Sequence, residues 1–296
     1  MILVAAALVS MLALAQPPPR PPQTDQTEAV QRGMRLTVDN FAGEVVIHTW
    51  DKDAVRVQAR HHGRTRVNVR RTGGGLSISA SGEMGPSAVD YDITTPVWMP
   101  VKITGTYDFV TVDGAQNEIS AETVRGDIVI KGGSAFVTAK TVEGEVTVEG
   151  ARGRINVSSV NQGIKITDSS GDVTADSVNG EIVMTKMDAK SVAASTVNGD
   201  ITYDGALADG GRYEIATHNG NILMAVPESS NATFSVRTYN GDLNSSLPVK
   251  GGNPREAHQG KRVTLTLGNG SADVELESFG GTIRLRRSEN VRRREP

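Results

Sequence analysis

The sequence predicts an all-β, single-domain protein folded as a parallel β-helix, or β-solenoid, with coils of about 18–21 residues. The first observation behind this prediction is a column of apolar or aromatic residues at a nearly fixed spacing. In the order of the chain, its members are Val124, Val142, Val160, Val178, Val197, His218, Tyr239 and Phe279. A fixed period of about 20 residues is typical of a solenoid, in which each coil buries its apolar side against its neighbours.

The second observation is that four further apolar columns keep the same spacing. They lie five and three residues before each member of the first column, and four and six residues after it. Around Val142, Val160 and Val178 they hold, in turn, Val137, Ala139, Val146 and Val148; Ile155, Val157, Ile164 and Ile166; and Val173, Ala175, Ile182 and Met184. Stacked parallel coils require this register, because each inward residue must lie on its counterpart roughly 4.8 Å away in the next coil. An antiparallel meander joined by Asn-Gly hairpins would not hold it, so the sequence favours the solenoid.

The stretch that begins at Val173 indicates how one coil is built. Val173 and Ala175 alternate with polar residues, which is the period-two pattern of a half-buried strand. Asn179-Gly180 follows, a dipeptide suited to the positive backbone φ of a tight bend. A second alternating strand begins at Ile182. Each coil is therefore predicted to contain a strand, an Asn-Gly corner, a second strand and a looser second corner.

Two polar columns flank the first column. The position directly after it predicts a ladder of side-chain amides formed by Asn161, Asn179, Asn198, Asn219 and Asn240. The position directly before it holds Thr123, Thr141, Ser159, Ser177, Thr196, Thr217, Thr238 and Ser278. A buried hydroxyl there needs a hydrogen-bond partner, which we expect the neighbouring coil to supply. Both columns are interpreted as scaffold, with a substrate-binding row as the alternative.

Two other kinds of solenoid are excluded by the sequence. A left-handed hexapeptide helix needs an aliphatic residue at every sixth position, but the third hexapeptide position holds Phe136, Arg154, Asp172 and Lys190. A calcium-binding β-roll needs a repeated nonapeptide rich in glycine and aspartate, and the sequence does not contain one.

The composition along the chain predicts its division into segments. We expect a signal peptide at 1–15, a Pro-rich linker at 16–32, the β-solenoid at 33–287 and a basic tail at 288–296. Within the solenoid, we expect an N-terminal cap and degenerate coils at 33–110, regular coils at 111–245, a loop at 246–262 and final coils at 263–287. The apolar run at 2–15 has the length of a signal-peptide core, although no Lys or Arg precedes it. The protein is therefore expected to be exported, to the periplasm or the cell surface, with no membrane span after signal cleavage.

The composition also argues against several kinds of chemistry. The chain has no cysteine, which excludes disulfides and thiolate metal sites, and a net charge of −3 gives no case for a nucleic-acid partner. Enzymes built on β-helices need several carboxylates on one face, and the densest acidic group here is Glu143, Glu145 and Glu149. His61 and His62 face opposite ways in a strand, so they are not expected to share a metal ion. We expect no catalytic residues, no cofactor and no metal.

A candidate binding surface is assigned to four aromatic residues in the later coils: His218, Tyr239, Tyr203 and Tyr213. Aromatic side chains along the face of a solenoid can stack on sugars or contact a partner protein. The alternative is that these larger side chains fill wider coils.

Several motifs carry a resemblance to a known family. They are the segment 38–47 (VDNFAGEVVI), the segments 50–53, 55–57 and 91–96, the repeated Val-Asn-Gly-(Asp/Glu)-Ile, and Ala225-Val226-Pro227. Over residues 33–287 the chain resembles a family of exported bacterial β-solenoid proteins known as "putative adhesins" of unknown function. The resemblance implies a right-handed parallel β-helix and a cell-envelope setting, and it supplies no catalytic residues.

The expected function is that of an exported, non-enzymatic binding or structural module of the bacterial cell envelope, similar to an adhesin. Its partner would be an envelope protein or a glycan that the sequence does not identify. Two alternatives remain open. One is a carbohydrate-active enzyme on a β-helix, a polysaccharide lyase or hydrolase, and the other is an accessory protein of the envelope-stress response.

Overall fold

The computed structural model describes residues 21–83, 85–253, 256–257 and 259–288. The predicted signal peptide, and the basic tail after Ser288, lie outside the described residues. The strands are β1 (Thr24–Ala29), β2 (Arg35–Asp39), β3 (Ala42–Trp50), β4 (Ala54–His61), β5 (Thr65–Thr72), β6 (Gly75–Gly82), β7 (Val89–Pro96), β8 (Val101–Thr104), β9 (Tyr107–Asp113), β10 (Ile119–Glu122), β11 (Ile128–Lys131), β12 (Phe136–Thr141), β13 (Val146–Glu149), β14 (Arg152–Ser159), β15 (Ile164–Thr167), β16 (Ser170–Ser177), β17 (Ile182–Asn198), β18 (Ile201–Asn219), β19 (Ile222–Val226), β20 (Ala232–Thr238), β21 (Leu243–Ser245), β22 (Lys250–Gly251), β23 (Arg262–Leu267), β24 (Ala272–Ser278) and β25 (Ile283–Arg287). Among the residues that the structure describes, no helix is long and apolar enough to cross a membrane.

The predicted all-β class is confirmed, and the repeat has a direct structural meaning. In each regular coil two strands are joined by a corner, and each strand pairs in parallel with its counterpart in the next coil. Val137 on β12 pairs with Ile155 on β14, and Val146 on β13 pairs with Ile164 on β15. The pairing partners are 18 residues apart, so the spacing in the sequence is the length of one coil.

The core is a column of apolar side chains that runs through the centre of the stack. Val137, Ala139, Val146 and Val148 are fully buried, as are their counterparts in the neighbouring coils. These are the positions five and three residues before, and four and six residues after, the first column. Four of the five apolar columns therefore form the core.

The first column itself is the exception, because its valines face solvent and do not enter the core. Val124, Val142, Val160, Val178 and Val197 are 36–49% exposed. Side chains alternate in a strand, so the Thr or Ser directly before each valine takes the inward position and the valine points outward. The expectation that all five apolar columns lie inside the stack was wrong for this one.

The buried hydroxyls bond to the backbone of the adjoining coil at the corner. Thr196 Oγ1 donates to the carbonyl oxygen of Gly180 at 3.0 Å, and Ser159 Oγ donates to that of Gly144 at 2.9 Å. The same bond recurs at Thr141, Ser177, Thr217, Thr238 and Ser278. The Thr/Ser column thus ties each corner to the next.

At the Asn-Gly corners, glycine is required by close approach of the backbone and not by its φ angle. A Cβ on Gly180 would lie 2.0 Å from the carbonyl oxygen of Gln162, and one on Gly199 would lie 2.2 Å from that of Gly180. Neither glycine has a positive φ. The expectation of a left-handed bend at the Asn-Gly dipeptides was therefore wrong.

The N-terminal coils do not stack in the order of the sequence. Leu36 on β2 pairs in parallel with Leu76 on β6 and with Val101 on β8, so the coil of β2 and β3 lies between two later coils. Beyond the outer coil, β5 pairs antiparallel with β6, β4 with β7, and β1 with β4. Residues 24–29 are thus a strand of the cap, which corrects the prediction that 16–32 is a linker.

The C-terminal coils are interleaved in the same way. Leu276 on β24 pairs with Ile215 on β18 and with Val236 on β20, so the coil of β24 and β25 lies inside the stack. Strand β23 pairs antiparallel with β20, and the short β22 pairs with β23. The prediction of final coils at 263–287 is corrected, because β23 is a capping strand and the coil at the end is that of β20 and β21.

Changing a corner glycine should destabilise the stack far more than changing an exposed one. We expect Gly180→Ala to lower the free energy of unfolding by about 3 kcal/mol, since the new methyl group must displace a carbonyl of the adjoining coil. Gly74→Ala is the control, because nothing lies within 4 Å of a Cβ added there. Urea unfolding measures both, and equal midpoints for the two variants would contradict the close-approach argument.

The hydroxyl of the Thr/Ser column should matter separately from its volume. Thr196→Val keeps the shape of the side chain but leaves the Gly180 carbonyl without its donor. We expect a loss of about 1–2 kcal/mol in the free energy of unfolding. Thr196→Ser, which keeps the hydroxyl, should lose less, and the reverse order in urea unfolding would show that only packing matters.

Candidate functional site

The outward-facing first column forms a continuous ridge along one corner of the stack. We name it the corner ridge, and in spatial order it comprises Phe41, Val124, Val142, Val160, Val178, Val197, His218, Phe279 and Tyr239, with Thr106 between the first two. Backbone hydrogen bonds link its positions from coil to coil, as from Asn161 N to the Val142 oxygen at 3.0 Å and from Asn179 N to the Val160 oxygen at 2.8 Å. With coils about 4.8 Å apart, the ridge is roughly 40 Å long.

The C-terminal part of the corner ridge is a stack of aromatic rings. The rings of His218 and Phe279 are parallel within 6° at a centroid distance of 4.6 Å. Tyr239 lies on the other side of Phe279, at 5.2 Å with a tilt of 34°. These residues are far apart in the sequence, and the interleaved coil of β24 and β25 places Phe279 between the other two.

The N-terminal part of the corner ridge is also aromatic. Phe41 packs edge-on against Tyr107 at 5.6 Å, and both are exposed, at 41% and 48%. The Arg125 guanidinium lies over the Tyr107 ring at 5.8 Å and pairs with Glu143 at 2.5 Å. Beside Phe41 is an open cavity of about 520 Å³, lined in part by Asp39, Asn40, Ser79, Ser81, Ser87 and Thr106.

The predicted asparagine residues lie next to the ridge, and the structure brings four of the five together. Asn179 Nδ2 donates to Asn161 Oδ1 at 3.2 Å, Asn198 to Asn179 at 2.9 Å, and Asn219 to Asn198 at 2.8 Å. Asn240 is separated from Asn219 by the interleaved coil, and its backbone N–H bonds to the Phe279 oxygen instead. The amide row therefore runs along the middle of the corner ridge and stops where the aromatic stack begins.

Two of the four residues assigned to the candidate binding surface do not face solvent. Tyr203 and Tyr213 are fully buried, with their rings edge-on at 5.8 Å. The Tyr203 hydroxyl donates to the Ala206 oxygen at 2.7 Å, and that of Tyr213 donates to the Ala189 oxygen at 2.6 Å. Burial raises the pKa of both hydroxyls. Their assignment to a surface was wrong, because both stand at inward positions, where their rings fill wider coils.

Two of the three acidic residues named from the sequence, Glu143 and Glu145, are held in ion pairs. Glu143 pairs with Arg125, and Lys165 Nζ lies 3.1 Å from Glu145 Oε1. The Asp127 carboxylate has a different role: its Oδ1 accepts the backbone N–H of Glu145, at the corner of the next coil, at 2.8 Å. Among the described residues, no group of three or more His, Cys, Asp or Glu side chains is placed to hold a metal ion.

The structure gives the His61 ring two polar neighbours. His61 Nε2 lies 3.0 Å from Thr24 Oγ1, and its Nδ1 lies 2.9 Å from the His62 carbonyl oxygen. The His61 ring is thus engaged with the cap strand β1 and the following turn.

A buried polar pair beneath the N-terminal part of the ridge was not found from the sequence. Asp108 is fully buried and accepts hydrogen bonds from Asn40 Nδ2 at 2.6 Å and from the Thr106 backbone N–H at 3.2 Å. Burial raises the pKa of Asp108 to about 6, against the two hydrogen bonds, and the Asp90 charge adds to the rise. Burial and the Asp108 charge also raise the pKa of Tyr91.

The signal for this pair was present as a break in the columns. The backbone hydrogen bonds at the corners show which positions correspond. Asn40 occupies the position that is Thr or Ser in later coils, and Asp108 occupies the position that is Gly126 in the next coil. In later coils, these two positions hold the hydroxyl residue and the glycine of the corner hydrogen bond. Asn40 and Asp108 place larger polar side chains at the same two positions.

Comparison with known proteins gives a family. The model of the family described as Toastrack DUF4097 matches residues 34–286. The chain belongs to the Toastrack DUF4097 family. The match spans almost the whole segment for which the sequence resembles β-solenoid adhesins, and it includes both interleaved ends of this Toastrack chain.

Solved structures with similarity to this Toastrack chain include two proteins. One is a "putative cell adhesion protein" from Clostridium sporogenes ATCC 15579, with 10% identity and a TM-score of 0.22 over 90% of this chain and 100% of that one. The other is a "putative adhesin" from Parabacteroides distasonis ATCC 8503, with 14% identity and a TM-score of 0.32 over 88% and 96% of the two chains. No curated protein matches the sequence.

The buried Asp108 should make stability depend on pH. Its folded pKa of about 6 lies above the ordinary value of 3.8, so the stability it contributes is full below about pH 4 and is lost as the pH rises through about 6. Asp108→Asn removes this titration. The free energy of unfolding of the wild type, relative to that of the variant, should fall by on the order of 3 kcal/mol between about pH 4 and pH 7. Urea unfolding at a series of pH values tests this, and two parallel curves would refute it.

Proposed function

We propose that this protein is an exported, non-enzymatic binding module of the bacterial cell envelope, and that the corner ridge is its contact surface. The observation that carries the proposal is the unbroken row of exposed valines from Val124 to Val197, which the rings of His218, Phe279 and Tyr239 continue at one end. Contiguous apolar surface of this kind is typical of an interaction site, whereas scattered exposed apolar residues are ordinary.

Folding does not require the ridge to be apolar. The inward position at each corner is held by Thr or Ser, and the valine beside it adds nothing to the core. A threonine at the valine positions would keep the branched shape that strands favour while removing the apolar surface. The repeated choice of valine over five coils is therefore best explained by contact with a partner.

The chemistry of the ridge suits an extended partner. Its rings can stack on the apolar faces of sugars or on the side chains of a protein, and the amide row beside it offers donors and acceptors at every coil. An extended glycan or protein segment would meet the same contacts repeatedly. This supports an adhesin-like role for the protein.

Two further properties belong to the same proposal. We infer export from the apolar run at 2–15, and a right-handed course of the solenoid from the resemblance to β-solenoid adhesins. Cell fractionation, with detection of the protein outside the cytoplasm, tests the first.

The ridge can be tested by making it polar without changing its shape. Val142→Thr, Val160→Thr and Val178→Thr combined should weaken binding to isolated bacterial envelopes by roughly tenfold or more, because apolar surface in the contact is lost. Binding is measured with labelled protein over a concentration series. Urea midpoints close to the wild-type value would show that the fold is intact.

The control is a matched change away from the ridge. Val129→Thr with Val183→Thr alters two half-buried valines on the outward face of other strands and should leave binding unchanged. Equal loss in both variants, or no loss in the ridge variant, would overturn the proposal. Cleavage of a uronate-containing polysaccharide that Glu143→Gln and Glu145→Gln abolish would instead support the enzymatic alternative.

A further inference from the structure

The N-terminal cap carries a segment of strongly positive charge. Between Asp53 and Glu83 the sequence contains six arginines and two histidines and no carboxylate. The chain as a whole has a net charge of −3, so this segment is a marked local departure from the average. It forms β4, β5, β6 and the turns between them.

Only part of this charge is neutralised by neighbouring strands. Arg56 pairs with Asp25 at 2.7 Å, and Arg71 lies 3.5 Å from Glu28. Both carboxylates belong to β1. The other four arginines, Arg60, Arg64, Arg66 and Arg70, have no ion pair with any residue in the part of the chain that the structure describes.

Two of these arginines lie in a line on the outward face of β5. Arg66 and Arg70 are exposed, and Asn68 stands between them on the same face. The two arginines are four residues apart on one strand, which separates their positions by about 13 Å. Strand β5 pairs only with β6 among the described strands, so one side of this line is open.

Hydroxyl groups accompany the arginines on the neighbouring strand. Ser81, Ser79 and Ser77 on β6 lie opposite Arg66, Asn68 and Arg70 in turn. Asn68 Nδ2 donates to Ser81 Oγ at 3.3 Å. We name these six residues the oxyanion lane, because guanidinium, amide and hydroxyl groups are all donors to carboxylate, sulfate or phosphate oxygens.

Carboxylates lie only at the borders of the oxyanion lane. Asp39 on β2 is the partner of Ser79 on the side away from β5. Glu83 shares a shallow depression of about 330 Å³ with Arg64 and His62 at one end of the lane, and Asp90 lies opposite Arg60 on β7.

The oxyanion lane adjoins the N-terminal end of the corner ridge. Ser79 and Ser81 line the cavity of about 520 Å³, and Phe41, with Tyr107 packed on its edge, lies at the same cavity. A charged lane and an exposed aromatic pair thus lie side by side.

We propose that the oxyanion lane binds a linear anionic polysaccharide, with its acidic groups on Arg66 and Arg70 and a sugar ring against Phe41. The inference deepens the proposed function by naming the class of envelope partner, and it rests on that function. A line of separated cations with hydroxyls beside it fits a charged polymer, and the aromatic pair adds the apolar contact that sugars make.

The probes are polygalacturonate and dextran sulfate, with neutral dextran as the uncharged control. We expect the full-length protein to bind both anionic polymers and not neutral dextran. Arg66→Gln with Arg70→Gln should weaken this binding roughly tenfold at low salt, and concentrated NaCl should abolish it. Isothermal titration or fluorescence anisotropy gives the dissociation constants.

A second pair of arginines provides the matched control. Arg284 and Arg286 on β25 lie near the other end of the stack and have no ion pair among the described residues. Arg284→Gln with Arg286→Gln removes the same charge and should change the affinity by less than about twofold. Equal weakening in the two double variants would show that binding is non-specific, and would overturn the proposal.

Other outcomes also contradict the oxyanion lane. Failure to bind either anionic polymer would overturn it, as would binding confined to phosphatidylglycerol vesicles or to double-stranded DNA. The valine-to-threonine ridge variant keeps the lane intact, so the two proposals can fail separately. If the lane variant binds envelopes normally while the ridge variant does not, the binding function stands and its polysaccharide ligand is refuted.

Discussion

The contact on which the rest of the structure depends is the hydrogen bond from a buried Thr or Ser to a corner carbonyl one coil away. It recurs from Thr141 to Gly126 and from Thr196 to Gly180, and it reaches Ser278 and Gly220 across the interleaved end. The bond is possible only because the corner backbones approach closely enough to exclude a Cβ. Once the hydroxyl takes the inward position, the alternation of the strand forces the next side chain outward. The corner ridge is therefore a geometric consequence of how the coils are joined, while its apolar character is not.

The interleaved ends address a different physical problem, which is the open edge of a solenoid. A terminal coil exposes unpaired backbone groups and apolar core unless other strands cover it. Here β4, β5 and β1 cover one end and β23 covers the other, all in antiparallel pairs. Because each terminal coil stacks on a coil from elsewhere in the sequence, the ends are tied by contacts between distant segments. Among the described strands of the N-terminal cap, β1 and β5 each pair on one side only, and the arginines of β5 also oppose edge-to-edge association. The oxyanion lane thus lies on an edge strand, where arginines are useful against aggregation whether or not they bind a ligand. The control at Arg284 and Arg286 is therefore needed to show that binding depends on the position of the arginines in the lane.

The sequence allowed the coil to be predicted because every coil repeats the same two strands. It also contained the evidence against a buried first column, since positions five and three before it are inward and the column must then face outward.

Interleaving could not be predicted, because the coil ending at Phe279 has the same pattern as any other and spacing does not reveal its neighbours. The aromatic stack of His218, Phe279 and Tyr239 depends on that interleaving, so sequence analysis could name its members but not place them together. Tyr203 and Tyr213 were misassigned although their positions, six residues after Val197 and five residues before His218, belong to core columns and indicate that both rings face inward. Asp108 was missed since a polar residue at a glycine position resembles an ordinary corner substitution until its burial is seen.

A surface built from repeats binds in a particular way, and this connects the ridge with the lane. Each valine of the corner ridge, and each amide beside it, is partly exposed in the free protein, so its single contact with a partner contributes little. Many such contacts along roughly 40 Å add up when the partner is itself extended, because ordering one segment of it holds the next segment near its own contacts. For a charged polymer, the oxyanion lane would add a second attraction. Its charges act over longer distances than the apolar contacts of the ridge, which require direct contact. The cavity beside Phe41 is where the long-range and the short-range surfaces meet, so a polymer captured by the lane would lie at the start of the ridge. On this physical argument, the protein would recognise a length of polymer and not one small ligand in an enclosed pocket.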